Sequence, residues 1–325
     1  MSAPAVRLLA AVTLLALVTT PTVMAQFSST LSGPVLGYVH DRNAGKVRPV
    51  RGILGSATVG APVEAAPNVS QLLTLDVRHA IVSSDTSPEL LALRLDGEPS
   101  STAIAGIPRN PSRSAASTLG TAAAFYYSDT QQIRIVKGLP REPQDAGGLQ
   151  LDRPVTQLAV SDDGTLLVYA IREPEGETLH GWTVSSGSPR YLTSAASVSG
   201  IAITRTGDAI VTDRGANEVF AIWDAGGGAV RKLLADTTDG VSDPAGVGVS
   251  SANRIYVANG GSSTLLVFES SGRVLKTLPC SCTMAGVYLL RDSVFRLTEG
   301  IAKTIFLVDA SSADERILFV PPPQD

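Results

Sequence analysis

The feature that most constrains this chain is a repeat. Seven segments share one pattern, the end of a strand followed by a polar turn: LGYVHDRNAGKV, HAIVSSDTSPEL, AAFYYSDTQQIR, LLVYAIREPEGE, DAIVTDRGANEV, RIYVANGGSSTL and SVFRLTEGIAKT. The residues leading those turns are Asp41, Asp85, Asp129, Arg172, Asp213, Asn259 and Glu299, so the period is near 43 residues. A repeat of that length marks an array in which each unit buries its apolar faces only on its neighbours.

Each unit reads as four short strands. In the fifth, residues 200–204 and 209–212 are apolar runs separated by Arg205-Thr206-Gly207-Asp208. Asp213-Arg214-Gly215-Ala216-Asn217 makes the next turn, and residues 219–223 and 230–234 complete the unit. Turn residues of these types break strands for known reasons: Gly accepts a positive φ, and Asp and Asn side chains bond to nearby backbone. Four strands per unit is the signature of a propeller blade. The expected fold is therefore all-β, a seven-bladed β-propeller of four-stranded antiparallel blades. Helical periodicity is poor, and many runs, such as 264–268, are apolar on both faces, as strands between two neighbouring blades require.

The first unit is the weakest. Ser29-Thr30-Leu31 precedes Asp41 with the spacing by which Ser117-Thr118-Leu119 precedes Asp129, which supplies a first inner strand. An alternative register makes 35–40 and 46–52 the third and fourth strands of a blade. That leaves six blades plus an N-terminal hairpin. Even spacing favours seven.

Three units carry a family resemblance. The sixth, GVGVSSANRIYVANGGSSTLLVFESSGRVLKTL, resembles the YVTN and NHL repeat propellers through its opening Gly246-Val247-Gly248-Val249, its strand ending at Asn259, and the hairpin around Gly272. The fifth is similar, and LAVSDDGTLLVYA in the fourth looks more like the TolB or WD-repeat style. The resemblance implies the architecture and leaves activity open, since such propellers include enzymes, binding modules and scaffolds.

Residues 1–25 read differently. Arg7 is their only charge, an apolar run follows, and Val23-Met24-Ala25 places small residues where a signal peptidase reads. The expectation is a signal peptide over 1–25, a single propeller domain over 26–325, and a secreted or periplasmic protein. The apolar run is short for a membrane span, and no later stretch approaches one. The whole chain carries 26 basic and 30 acidic residues, a net charge of −4. That acidity argues against nucleic acid as a partner. Cys280 and Cys282 form a lone C-x-C whose expected role is structural, because metal sites need more ligands and none is nearby.

In a propeller, loops gather round one mouth of the central channel. The turn-leading residues then form a ring of seven, five of them carboxylates. With Arg42 and Arg214 beside two of the Asp residues, they make up the candidate ligand-binding set: Asp41, Arg42, Asp85, Asp129, Arg172, Asp213, Arg214, Asn259 and Glu299. Clustered carboxylates draw cations, so a divalent ion at the mouth is one expectation. Arg42, Arg172 and Arg214 clamping a carboxylate or phosphate is another. For each Asp alone, capping its own turn is the plainer reading. No G-x-S-x-G elbow, H-E-x-x-H or phosphate loop is present, and the three His are scattered. The expected function is a monomeric binding or protein-interaction module without catalytic machinery, taking a protein or a small molecule at the channel mouth. The alternative is a metal-dependent lactonase-like hydrolase or lyase using Asp213, Asn259 and Glu299 on a small ester or sugar lactone.

Overall fold

The computed structural model describes residues 33–301, 303–311 and 314–323. These form seven antiparallel sheets in chain order, spanning 35–59, 69–108, 113–150, 155–195, 198–235, 244–279 and 288–320. Each sheet is a simple meander. Six have four strands and the first has three among the described residues. The only helical element among them is a single 3-10 turn, Thr237–Asp239. The protein is a seven-bladed β-propeller.

The first blade settles the register. Its strands are Val35–Asp41, Lys46–Ile53 and Ser56–Val59, and the last pairs with the middle one, Val50 opposite Val59. The first two therefore cannot be the third and fourth strands of a blade, and the alternative of six blades plus a hairpin is set aside. Val35–Asp41 holds the place of a second strand. The inner strand expected at Ser29-Thr30-Leu31, like the signal peptide, lies outside the described residues.

The core explains why the blades stack. Successive residues of a strand point to opposite faces. In the second strand of blade 5, Ile210 therefore joins an apolar cluster with Val247, Ile255 and Leu266 of blade 6. Its neighbour Val211 joins one with Val168, Ala170 and Leu179 of blade 4. Seven such clusters occur, one at each junction between blades. An open row of seven blades has six junctions. The seventh packs Val39, Val50 and Ala57 of blade 1 on Leu290, Val294, Leu307 and Val320 of blade 7, so the ring is closed by side-chain packing. Gly37 permits that approach. It adopts φ +155, and a Cβ there would stand 2.5 Å from Leu290 Cγ.

Candidate functional site

A cavity of about 600 Å³ runs along the axis of the ring. The inner strands of blades 2 to 7 wall it, and blade 1 contributes His40 and Arg42 from the end of its first described strand. Glycines let the inner strands come close: a Cβ on Gly248 would meet Val287 Cγ1 at 2.5 Å. At the end bounded by turns between inner and second strands, Thr118 of blade 3 donates to the Ile203 carbonyl of blade 5 at 2.8 Å. That bond reaches past blade 4 and braces this end. The other end is the mouth. Near the starts of the inner strands lie Gln71, Arg113, Gln157 and Ser199, and near the ends of second strands lie His40 and Arg296.

The charge of the lining is opposite to that of the chain. Among the described residues its ionised side chains are Arg42, Arg113, Arg296 and Glu299, three cations to one anion. A second cleft, between blades 4 and 5, is acidic, with Glu173, Glu175, Glu177, Asp213 and Glu218 against Arg231. The protein's negative charge thus stands outside the channel.

Arg296 is the central group. It sits opposite Tyr288 in the ladder between inner and second strands of blade 7, and its guanidinium lies over the Tyr288 ring, 5.0 Å from the centroid. That contact is a cation–π interaction, which uses the face of the guanidinium and needs none of its N–H donors. Among the described residues the Arg296 side chain has no ion-pair or hydrogen-bond partner. Burial lowers its pKa, while Tyr288 and Glu299 oppose the shift. A guanidinium still remains protonated at any physiological pH. The one proton of the Tyr288 hydroxyl is shared between two acceptors, the Ala285 carbonyl at 3.0 Å and Glu299 Oε1 at 3.3 Å. Burial, followed by the Glu299 charge, pushes its pKa up and keeps it a donor. Arg42 lies 3.9 Å from Glu299, both side chains more than half exposed, a pairing too loose to neutralise either. His40 donates from Nε2 to the Val69 carbonyl at 2.8 Å. Burial lowers its pKa, and Arg42 adds to the effect, so the ring is neutral at pH 7.

The nine residues nominated from sequence do not form one cluster. Only Arg42 and Glu299 line the channel. Asp213 is buried, and its two oxygens accept from the backbone N–H groups of Ala196, Ser197, Gly215 and Ala216 at 2.7 to 3.2 Å. Asn259 is buried too, accepting from Ser242 N–H at 3.2 Å and donating to the Gly240 carbonyl at 3.0 Å and Thr264 Oγ1 at 3.2 Å. Both residues pin the linker that enters their own blade. Asp41 accepts from Ala44 N–H and from Arg48 at 2.7 Å. Asp85 and Asp129 are exposed, the former 3.5 Å from Arg109. Arg172 lies 3.7 Å from Glu177, and Arg214 pairs with Asp243 at 2.9 Å.

Three expectations change in consequence. The set Asp213, Asn259 and Glu299 is not brought to one point, because the first two are committed to backbone. Among the described residues, no group of three or more His, Cys, Asp or Glu could hold a metal ion. The clamp of Arg42, Arg172 and Arg214 is not assembled either; Arg42 is joined in the channel by Arg113 and Arg296 instead. The other conspicuous side chains serve packing. His180 stacks on Tyr169 in blade 4, and Trp182 is buried between blades 3 and 4. Cys280 and Cys282 are joined in a disulfide, with Cys280 buried against the cluster between blades 6 and 7.

Comparison with known proteins supports the fold alone. No protein-family model and no curated relative matches the chain. Among solved structures it is similar to a protein from Lactobacillus plantarum, at TM-score 0.59 and 12% identity over 88% of this chain and 95% of that one. It is also similar to hydrazine synthase from Kuenenia stuttgartiensis, at TM-score 0.52 and 13% identity over 91% and 98%. A third likeness is to a chain of a nidogen/laminin complex, at TM-score 0.50 and 12% identity over 75% and 92%. Proteins so different in kind share this architecture, so the site must carry the functional argument.

Proposed function

We propose that the protein is a binding module that takes a small anion, through a carboxylate or phosphate group, at the mouth of its channel. The observation that carries this reading is Arg296, a half-buried guanidinium lining the cavity that makes no salt bridge among the described residues and feels the Glu299 carboxylate only at longer range. Its neighbours along the lining leave the channel net positive in a chain of net charge −4. A cationic pocket with low-dielectric walls concentrates anions. The hydrolase reading loses its residue set, since Asp213 and Asn259 hold linkers.

Acetate and inorganic phosphate, titrated by calorimetry at low salt, test the proposal. One of them is expected to bind, and Arg296→Gln is expected to weaken it about tenfold or more, as loss of a charge-assisted hydrogen bond does. Binding that is unchanged in this variant, or that goes with Arg172 or Arg214 instead, would overturn it.

The same reading makes the protein an exported one with YVTN/NHL-like blades. The leader-like residues 1–25 and the Cys280–Cys282 disulfide support export, since paired thiols persist in oxidising compartments. N-terminal sequencing of protein recovered outside the cytoplasm should begin at Gln26. A mature chain that retains Arg7 would contradict it.

A further inference from the structure

The cationic groups of the channel are not spread evenly round the ring. Arg42 and Arg296 stand at the junction of blades 1 and 7, with Glu299 beside them. Arg113 stands apart, at the first position of the inner strand of blade 3. In a closed ring of seven, blades 3 and 7 are as far apart as two blades can be. The lining between them is uncharged on both sides, with Gln71 on blade 2 and Gln157 and Ser199 on blades 4 and 5. Arg113 is exposed and uses Nε on the Val155 carbonyl at 3.4 Å, while the terminal nitrogens of its fork have no partner among the described residues. Two guanidinium groups that make no salt bridge among the described residues therefore line the same cavity from well-separated blades.

We infer that the ligand is a small organic dianion with two separated carboxylates, one held by Arg296 and the other by Arg113. The inference rests on the anion-binding reading above. Three arginines against one glutamate leave two positive charges in the lining, which a dianion matches. Each guanidinium presents a planar fork, which suits a planar carboxylate. A cavity of about 600 Å³ has room for a molecule with two such heads, and a single phosphate gathers its oxygens at one centre. Glu299, on the Arg296 side, disfavours a second negative charge close to the first and favours one placed across the channel.

Calorimetric titration with the α,ω-dicarboxylates from malonate to adipate, alongside acetate and inorganic phosphate, tests this. At least one dicarboxylate should bind about tenfold tighter than acetate, or better, because it adds a second charge-assisted contact. Arg113→Gln should bring that dicarboxylate down towards the acetate level, a much larger loss than the general weakening of acetate that removing one positive charge from the lining causes. Arg296→Gln should weaken both, and Arg296→Lys, which keeps the charge and loses the fork, should recover only part. Arg113 is exposed, so its variant is expected to unfold at the wild-type temperature, which is checked in parallel. Dicarboxylates that bind no tighter than acetate, phosphate that matches the best of them, or an Arg113→Gln variant that binds them normally would overturn the two-pole reading and leave anion binding standing. Failure of every probe would remove both.

Discussion

Stopping the chain at Thr283, before blade 7, is expected to abolish folding of a soluble monomer. The missing blade covers two faces. One holds Tyr256, Leu265 and Val267 of blade 6, and the other holds Leu36, Val39 and Val50 of blade 1. Burying one such side chain fully contributes about 1.5–3 kcal/mol. Six of them together match or exceed the ~5–15 kcal/mol that holds a typical domain folded. Two broad apolar faces would be exposed, which drives association. Size-exclusion chromatography of the truncated protein should show aggregate, or no soluble product. A monomer that melts cooperatively near the wild-type temperature would contradict the closed ring.

Glu315→Gln is expected to lower stability by about 2–3 kcal/mol, a fall in melting temperature of about 3–5 °C for a domain of this size. Glu315 precedes the outer strand of blade 7, and its side chain is 0% exposed. It forms ion pairs with Arg254 and Lys276, both of blade 6. The amide keeps the shape and leaves two cations facing a neutral group. Breaking a fully buried pair costs ~3–5 kcal/mol, but these cations are 32% and 31% exposed, so water compensates them in part. Burial pulls the Glu315 pKa upward, yet hydrogen bonds from Lys276, its own backbone N–H and Arg254 outweigh that and hold it below the usual carboxylate value. A depressed carboxylate contributes stability that is present above its unfolded pKa and is lost as pH falls through the folded one. Wild type should therefore approach the variant in melting temperature only in strong acid, below the ordinary glutamate range. A constant difference down to that pH would show that the charge is not the cause.

The architecture was legible in the sequence because a propeller repeats its punctuation. Polar turns recur near every 43 residues, and the strands between them are apolar on both faces because both faces meet a neighbour. The first blade was ambiguous because Ser56–Val59, the strand that fixes its register, is a short run with little pattern. The site was legible in kind and misplaced in position. Asp213 and Asn259 stand where a ligand ring was expected, but each lies beside the linker entering its own blade, and free backbone N–H groups there bind its oxygen first. In blade 4 the turn position is held by Arg172, and buried Glu177 accepts instead from the N–H of Val198, the first residue of the next blade. The available cations came from elsewhere. Arg113 opens an inner strand, and Arg296 precedes Glu299 by three residues on a second strand. The usable signal was charge on strands that wall the channel. That Arg296 would lie over Tyr288 without a carboxylate depends on a cross-strand pairing, Tyr288 opposite Arg296, which spacing along the chain does not reveal.

The central claim is that the channel mouth, and not the outer turns, holds the ligand. Anomalous diffraction from a crystal soaked in bromoacetate tests it directly, because bromine marks where a carboxylate settles. A bromine peak is expected inside the channel beside Arg296, with none in an Arg296→Gln crystal. Peaks at Arg172 or Arg214 with an empty channel would contradict the account.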